Sequence, residues 1–390
     1  AMAVYSMGVV VAPTVGPVLG GWLTDAYGWP WIFYVNVPVG LLGIFLASTF
    51  LHDPPYMQRR VTRIDVVGIV LLAVGLTALQ IFLEQGEREN WFDSAFIVTT
   101  GLIALVALLL LVGWELWVEE PIVNLRILKN LRFTAGTCLG FVFGITLFGS
   151  LFMLPLFLQR LRGYSVLDSS LIQMPRMLIM FVVTPIAGRL YNYVDGRLLI
   201  GAGVAMMMLG YFDLAHLTLE VGPAELLPGF LLTGAGMSCM FGTMSAVVMR
   251  TVPQPMLTAA SGLNTLFRRI GGNIGYVLVT SQIAHRTAFH RARLLEHLTP
   301  YDPGPTLALD NLTARLTGAG LPPGTATDSA LTMLGGMVNR HATMMAYNDV
   351  FWMMGMLFVV GLPFLIMLGG RPSRSAPTPV LHQPARAKRG

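Results

Sequence analysis

The chain has 390 residues, of which 54% are apolar and 12% charged, with a mean hydropathy of +0.66. So apolar a composition excludes both a water-soluble globular fold and a disordered chain. Twenty-five basic residues against 20 acidic ones leave a small positive balance, and Cys138 and Cys239 both stand in apolar runs, implying no disulfide framework.

Taken in order, ten apolar stretches approach spanning length, at about 2–24, 30–51, 65–84, 95–117, 133–158, 167–190, 197–218, 226–248, 259–284 and 346–369. They show no period-2 alternation, so barrel strands are excluded and each span is predicted helical. The fold class is therefore an all-α polytopic membrane protein. Ala1 opens directly into the first stretch without a basic n-region, and Pro13, Pro17 and several glycines follow. That pattern reads as a mature transmembrane helix rather than a signal peptide.

Basic residues are unevenly placed. With Ala1 on the cytoplasmic side, the inner loops would hold Arg59, Arg60, Arg63, Arg126, Lys129, Arg132, Arg189, Arg197 and Arg250, and the tail 370–390 adds five more. Short outer loops would hold only Arg88, Arg160 and Arg162 among several acids. By the positive-inside rule both chain ends face the cytoplasm of a plasma-membrane protein. The stretch 285–345 is expected as a long extracytoplasmic loop, begun by a helical extension over 285–298 and ended by a short helix capped at Asp328. An outer partner would meet the protein there, and the sequence does not identify one. Its histidines, His285, His290, His297 and His341, lack ligand spacing and read as solvated. No metal or cofactor motif occurs, and neither Lys129 nor Lys388 follows a G-x-x-x-x-G run, so ATP is excluded. Nucleic acid is not an expected partner, nor is enzymatic activity.

The first span carries the most information. Gly8, Ala12, Gly16 and Gly20 recur every four residues, a stripe that admits close helix approach, and Pro13 and Pro17 bend the helix. The run Gly16-Pro17-Val-Leu-Gly20-Gly21 resembles the antiporter motif in the fifth helix of major facilitator exporters. Gly21-Trp-Leu23-Thr-Asp25, then Trp29-Pro30-Trp31-Ile-Phe33-Tyr34-Val-Asn36-Val-Pro38-Val-Gly40, resembles the helix five to six junction of the fourteen-span drug/proton antiporters. Pro30 stands where that family usually has Arg. Leu154-Pro155 with Gln159 and Gly163-Tyr164-Ser165 is similar to the end of its ninth helix, and Gly188-Arg189-Leu190 with Asp195-Gly196-Arg197 to its second-half loop motif. Ala259-Ala260-Ser261-Gly262, Asn264, Arg268 and Gly271-Gly272-x-x-Gly275 resemble its thirteenth helix, and Ala346-Tyr347-Asn348-Asp349-Val-Phe351 the start of its fourteenth.

The resemblance implies a major facilitator fold whose helices five to fourteen are present, with four more expected upstream. It divides the chain into the last two helices of a first bundle (1–51), two linker helices with flanking loops (52–132), a six-helix second bundle (133–369) and a basic cytoplasmic tail (370–390). It implies proton-driven export of small amphipathic or drug-like molecules. The other reading is a non-transporting or channel-like scaffold, favoured if ten spans are the whole product. Ionisable groups inside spans are functional candidates by default. Arg268 is expected to face the cavity and Arg269 to snorkel, as is Arg176, while Asp213 with His216 three residues on is a candidate proton-sharing pair. The methionines read as packing.

Overall fold

The computed structural model describes residues 16–50, 65–119, 121–296 and 303–368. Among these the chain is almost wholly helical. Helix α1 covers 16–27, followed by α2 (Trp31–Tyr34) and α3 (Asn36–Phe50). Gly28 takes a φ of 89°, a left-handed conformation that only glycine adopts freely, and so turns α1 into the aromatic junction of Trp22, Tyr27, Trp31 and Tyr34. No residue of α2 or α3 is buried. Phe33, Leu41, Ile44 and Phe45 all lie exposed on this pair, as does Trp29 just before it.

Helices α4 (Val66–Gln85) and α5 (Ala95–Trp117) form an antiparallel hairpin. Asp65 begins it by accepting the Gly68 N–H at 2.8 Å, and the same carboxylate oxygen accepts from the Trp114 indole N–H at 2.8 Å, closing the base. Helices α6 (Leu131–Leu156), α7 (Val166–Leu190), α8 (Gly196–Leu214), α9 (Leu227–Met249), α10 (Leu257–Glu296) and α12 (Pro323–Met367) pack into one bundle, with α11 (Pro303–Gly318) against α12. Asn130 caps α6, Ser165 caps α7 and Asp195 caps α8, each through a side-chain oxygen. Helix α6 runs through the middle; Phe133, Leu139, Phe143, Met153 and Leu154 are fully buried on it. Pro155 ends its regular ladder and a π-turn follows at Phe157–Leu161.

Eight helices among the described residues are long and apolar enough to cross a membrane. Helix α10 is not one of them, because it carries Arg268, Arg269 and a polar second half, yet it packs closely on α6 and α12. Glycine makes that approach feasible. A Cβ at Gly144 would strike the Arg268 carbonyl, and one at Gly271 or Gly275 would strike the carbonyls of Phe141 and Ile145.

The stretch 285–345 is not a loop where it is described. Helix α10 continues to Glu296, α11 fills 303–318, and α12 starts at Pro323. Proline at the first turn of a helix loses no hydrogen bond, so Pro303 and Pro323 start helices rather than interrupt them. At 40 and 45 residues, α10 and α12 run about 60 and 68 Å by helical rise, well past a hydrocarbon core of about 30 Å. The six-helix bundle alternates direction, so Arg132, Arg189, Arg197 and Arg250 gather at one end, hereafter the basic end, opposite the α10–α12 extension.

Candidate functional site

Gly8, Ala12 and Pro13 lie outside the described residues. Of the remaining stripe, Gly16 and Gly20 have no described neighbour within 4 Å of where a Cβ would stand, and Pro17 is exposed. Among the described residues the close approach occurs one position on, at Gly21. A Cβ at Gly21 would lie 3.1 Å from the Leu167 Cα and 3.1 Å from the Ser170 hydroxyl, both on α7. Asp25 reinforces the contact, since its carboxylate accepts the Leu167 N–H at 3.1 Å. That amide is one of the four at the start of α7 that the helix cannot satisfy, and the positive end of the helix dipole favours the carboxylate. Thus α1 is joined to the six-helix bundle through α7.

The loop motif sits at the basic end. Gly188 and Arg189 are exposed in the last turn of α7. Asp195 accepts the Arg197 N–H at 3.1 Å as the α8 cap, and a Cβ at Gly196 would meet Val247 and the Tyr191 ring. Asn264 is 3% exposed on α10, and its side-chain oxygen has no partner. Arg268, half-buried one helical turn on, lays its guanidinium 5.1 Å from the centre of the Phe241 ring, a cation–π contact with α9, and Arg269 is exposed.

Asp213 and His216 are not brought together as a proton-sharing pair. Helix α8 ends at Leu214, both side chains are exposed, and the His216 Nδ1–H donates to the Phe212 carbonyl at 2.6 Å. Unwinding after Leu214 removes the one-face register that the three-residue spacing presumes. Asn348 on α12 donates to the Leu217 carbonyl at 2.9 Å. Asp349 turns toward α10, where it lies 2.8 Å from His290 Nε2 and 3.6 Å from Arg286.

Arg176 departs furthest from the sequence reading. Instead of snorkelling it is 4% exposed, at the crossing of α6, α7, α8 and α9. Its guanidinium donates to the Ser150 hydroxyl at 3.0 Å and lies 3.8 Å from the Met237 sulfur. Tyr211, 1% exposed, sits beside it and donates to the Thr146 carbonyl at 3.4 Å. Among the described residues no carboxylate stands within 4 Å of this cation. The sequence signal was an arginine directly after Pro175 within a predicted span; position along the span does not say which helix face it occupies. Among the described residues, no group of three or more His, Cys, Asp or Glu is placed to hold a metal ion.

The family model of the Major Facilitator Superfamily matches residues 1–276 of this chain. The chain belongs to that superfamily. It is 32% identical to Multidrug export protein EmrB of Escherichia coli (strain K12) over 364 residues, 92% of this chain and 69% of that protein. It is 30% identical to Fatty acid resistance protein FarB of Neisseria gonorrhoeae over 368 residues, covering 94% and 70% of the two chains. Multidrug export protein EmrB of Haemophilus influenzae is 31% identical over 384 residues, 95% and 71%. With its apolar helices, the chain is a multi-pass integral membrane protein of a transporter superfamily.

Proposed function

We propose that the chain exports small amphipathic or drug-like molecules across the plasma membrane by proton antiport, without ATP and without an enzymatic step, with its basic end in the cytoplasm. Support comes from relatives named for multidrug export and for fatty acid resistance, at about the same identity. The observation that carries the reading is Arg176. A guanidinium held at membrane depth by a neutral hydroxyl and a thioether costs several kcal/mol, and an ionisable group kept at that cost inside a span is a functional candidate. We read it as the charged partner that the polar or anionic end of an amphipathic substrate would meet once the packed helices part, with Met237 beside it, since in this conformation the guanidinium is enclosed.

The test is dye or fatty-acid transport into everted membrane vesicles from cells expressing the gene that encodes this chain. Dissipating the pH gradient should stop transport. Arg176→Gln should lower it by at least roughly tenfold, the scale of one charged hydrogen bond lost, and Arg176→Lys should restore part of it. Full activity in the Gln variant would make the guanidinium a packing element, and transport that persists without a gradient would remove the proton from the scheme.

A further inference from the structure

At the basic end, away from Arg176, the ends of α6, α7, α8, α9 and α12 border a half-open cavity of about 640 Å³. Arg132, Arg197 and Arg250 line it, against a single carboxylate, Asp195, which is already engaged in capping α8. None of the three arginines forms an ion pair among the described residues. Arg250 stacks 4.6 Å from the centre of the Tyr191 ring. The decisive detail is the set of unused donors. Arg197 Nε and Nη2 and the Tyr191 hydroxyl are buried here with no hydrogen-bond partner. Burial raises the pKa of that hydroxyl above the ordinary tyrosine value, so it remains a donor at any physiological pH.

Buried donors without acceptors are costly, and these belong to two side chains that line one cationic cavity, which calls for a ligand rich in acceptor oxygens. A phosphate group has that chemistry and pairs well with guanidinium forks. The cavity far exceeds the volume of a bare ion, and Leu198, Val247 and Leu368 give it an apolar wall. It also opens where the helices end, at the depth of lipid headgroups. We infer that it binds the phosphate-bearing headgroup of an acidic phospholipid, with Arg197 and Tyr191 donating to the phosphate oxygens and Arg132 and Arg250 flanking them.

The purified chain, delipidated in a maltoside detergent, is titrated separately with dioleoylphosphatidylglycerol, dioleoylphosphatidylcholine and inorganic phosphate, and bound lipid is counted by native mass spectrometry. Phosphatidylglycerol should bind at least tenfold more tightly than phosphatidylcholine, and millimolar phosphate should not displace it. Arg197→Gln should weaken the phosphatidylglycerol complex by roughly tenfold and Tyr191→Phe by roughly threefold, each the loss of donors to a charged acceptor. Lys129→Gln, an exposed cation at the same end that does not line the cavity, should change nothing. Circular dichroism confirms that each variant is folded, and Tyr191→Phe carries the test if Arg197→Gln is not. Equal binding of the two lipids, or an equal loss in Lys129→Gln, would mean diffuse attraction and overturn the assignment. Displacement by inorganic phosphate would make this a free-anion site and overturn the headgroup.

Discussion

Gly16 and Gly21 lie on one helix but face different surroundings, and substitutions separate them. Gly21→Leu must push its branched side chain into the backbone at Leu167. It should destabilise the α1–α7 contact by about 1–3 kcal/mol, the usual cost of overpacking. Gly16→Leu meets no described atom and should cost under about 0.5 kcal/mol. Thermal unfolding of the purified variants checks both; equal effects would place the close approach elsewhere on α1. The motif was legible in the sequence, but the choice among consecutive glycines was not, because spacing repeats at every fourth residue and does not say which register meets a partner. Arg176 was illegible for a related reason. Its depth could be read, but the residues that receive it, Ser150 on α6 and Met237 on α9, are 26 and 61 positions away in the chain.

Helix boundaries were mostly recoverable because bilayer thickness imposes a length on each apolar run. The exception is instructive. Residues 285–345 are too polar to span, and polarity with Pro and Gly suggested a loop; helix formation needs only hydrogen bonds and one packed face. The extension of α10 finds that face on α12, tied by Asp349 to His290 and Arg286. Half-exposed pairs of this kind contribute about 0.2–1 kcal/mol. Asp349→Asn should therefore speed amide hydrogen exchange over residues 286–296 by roughly two- to fivefold and leave α6 unchanged. Unchanged exchange in the extension would show that apolar packing alone holds it.

For the molecule as a whole, the asymmetry of arginine placement makes orientation testable. In a background with Cys138 and Cys239 replaced by serine, Tyr193→Cys puts a thiol on the exposed turn after α7 at the basic end. Asp310→Cys puts one on α11 at the other. An impermeant maleimide applied to intact cells should label position 310 and spare position 193. Labelling of 193 instead would invert the protein in its membrane.

The great length of α10 and α12 has a mechanical consequence. Two helices in contact, bridged near the membrane edge by Asp349 with Arg286 and His290, behave as a stiff lever that pivots where it enters the bundle. Beyond the spans the free arm of α12 reaches about 35 Å and that of α10 about 18 Å, so a tilt of about 10° at the pivot sweeps the α12 tip sideways by about 6 Å. A rearrangement too small to see within the packed helices is thus magnified several-fold where the arm ends, and a spin label or fluorophore on α11 would read it.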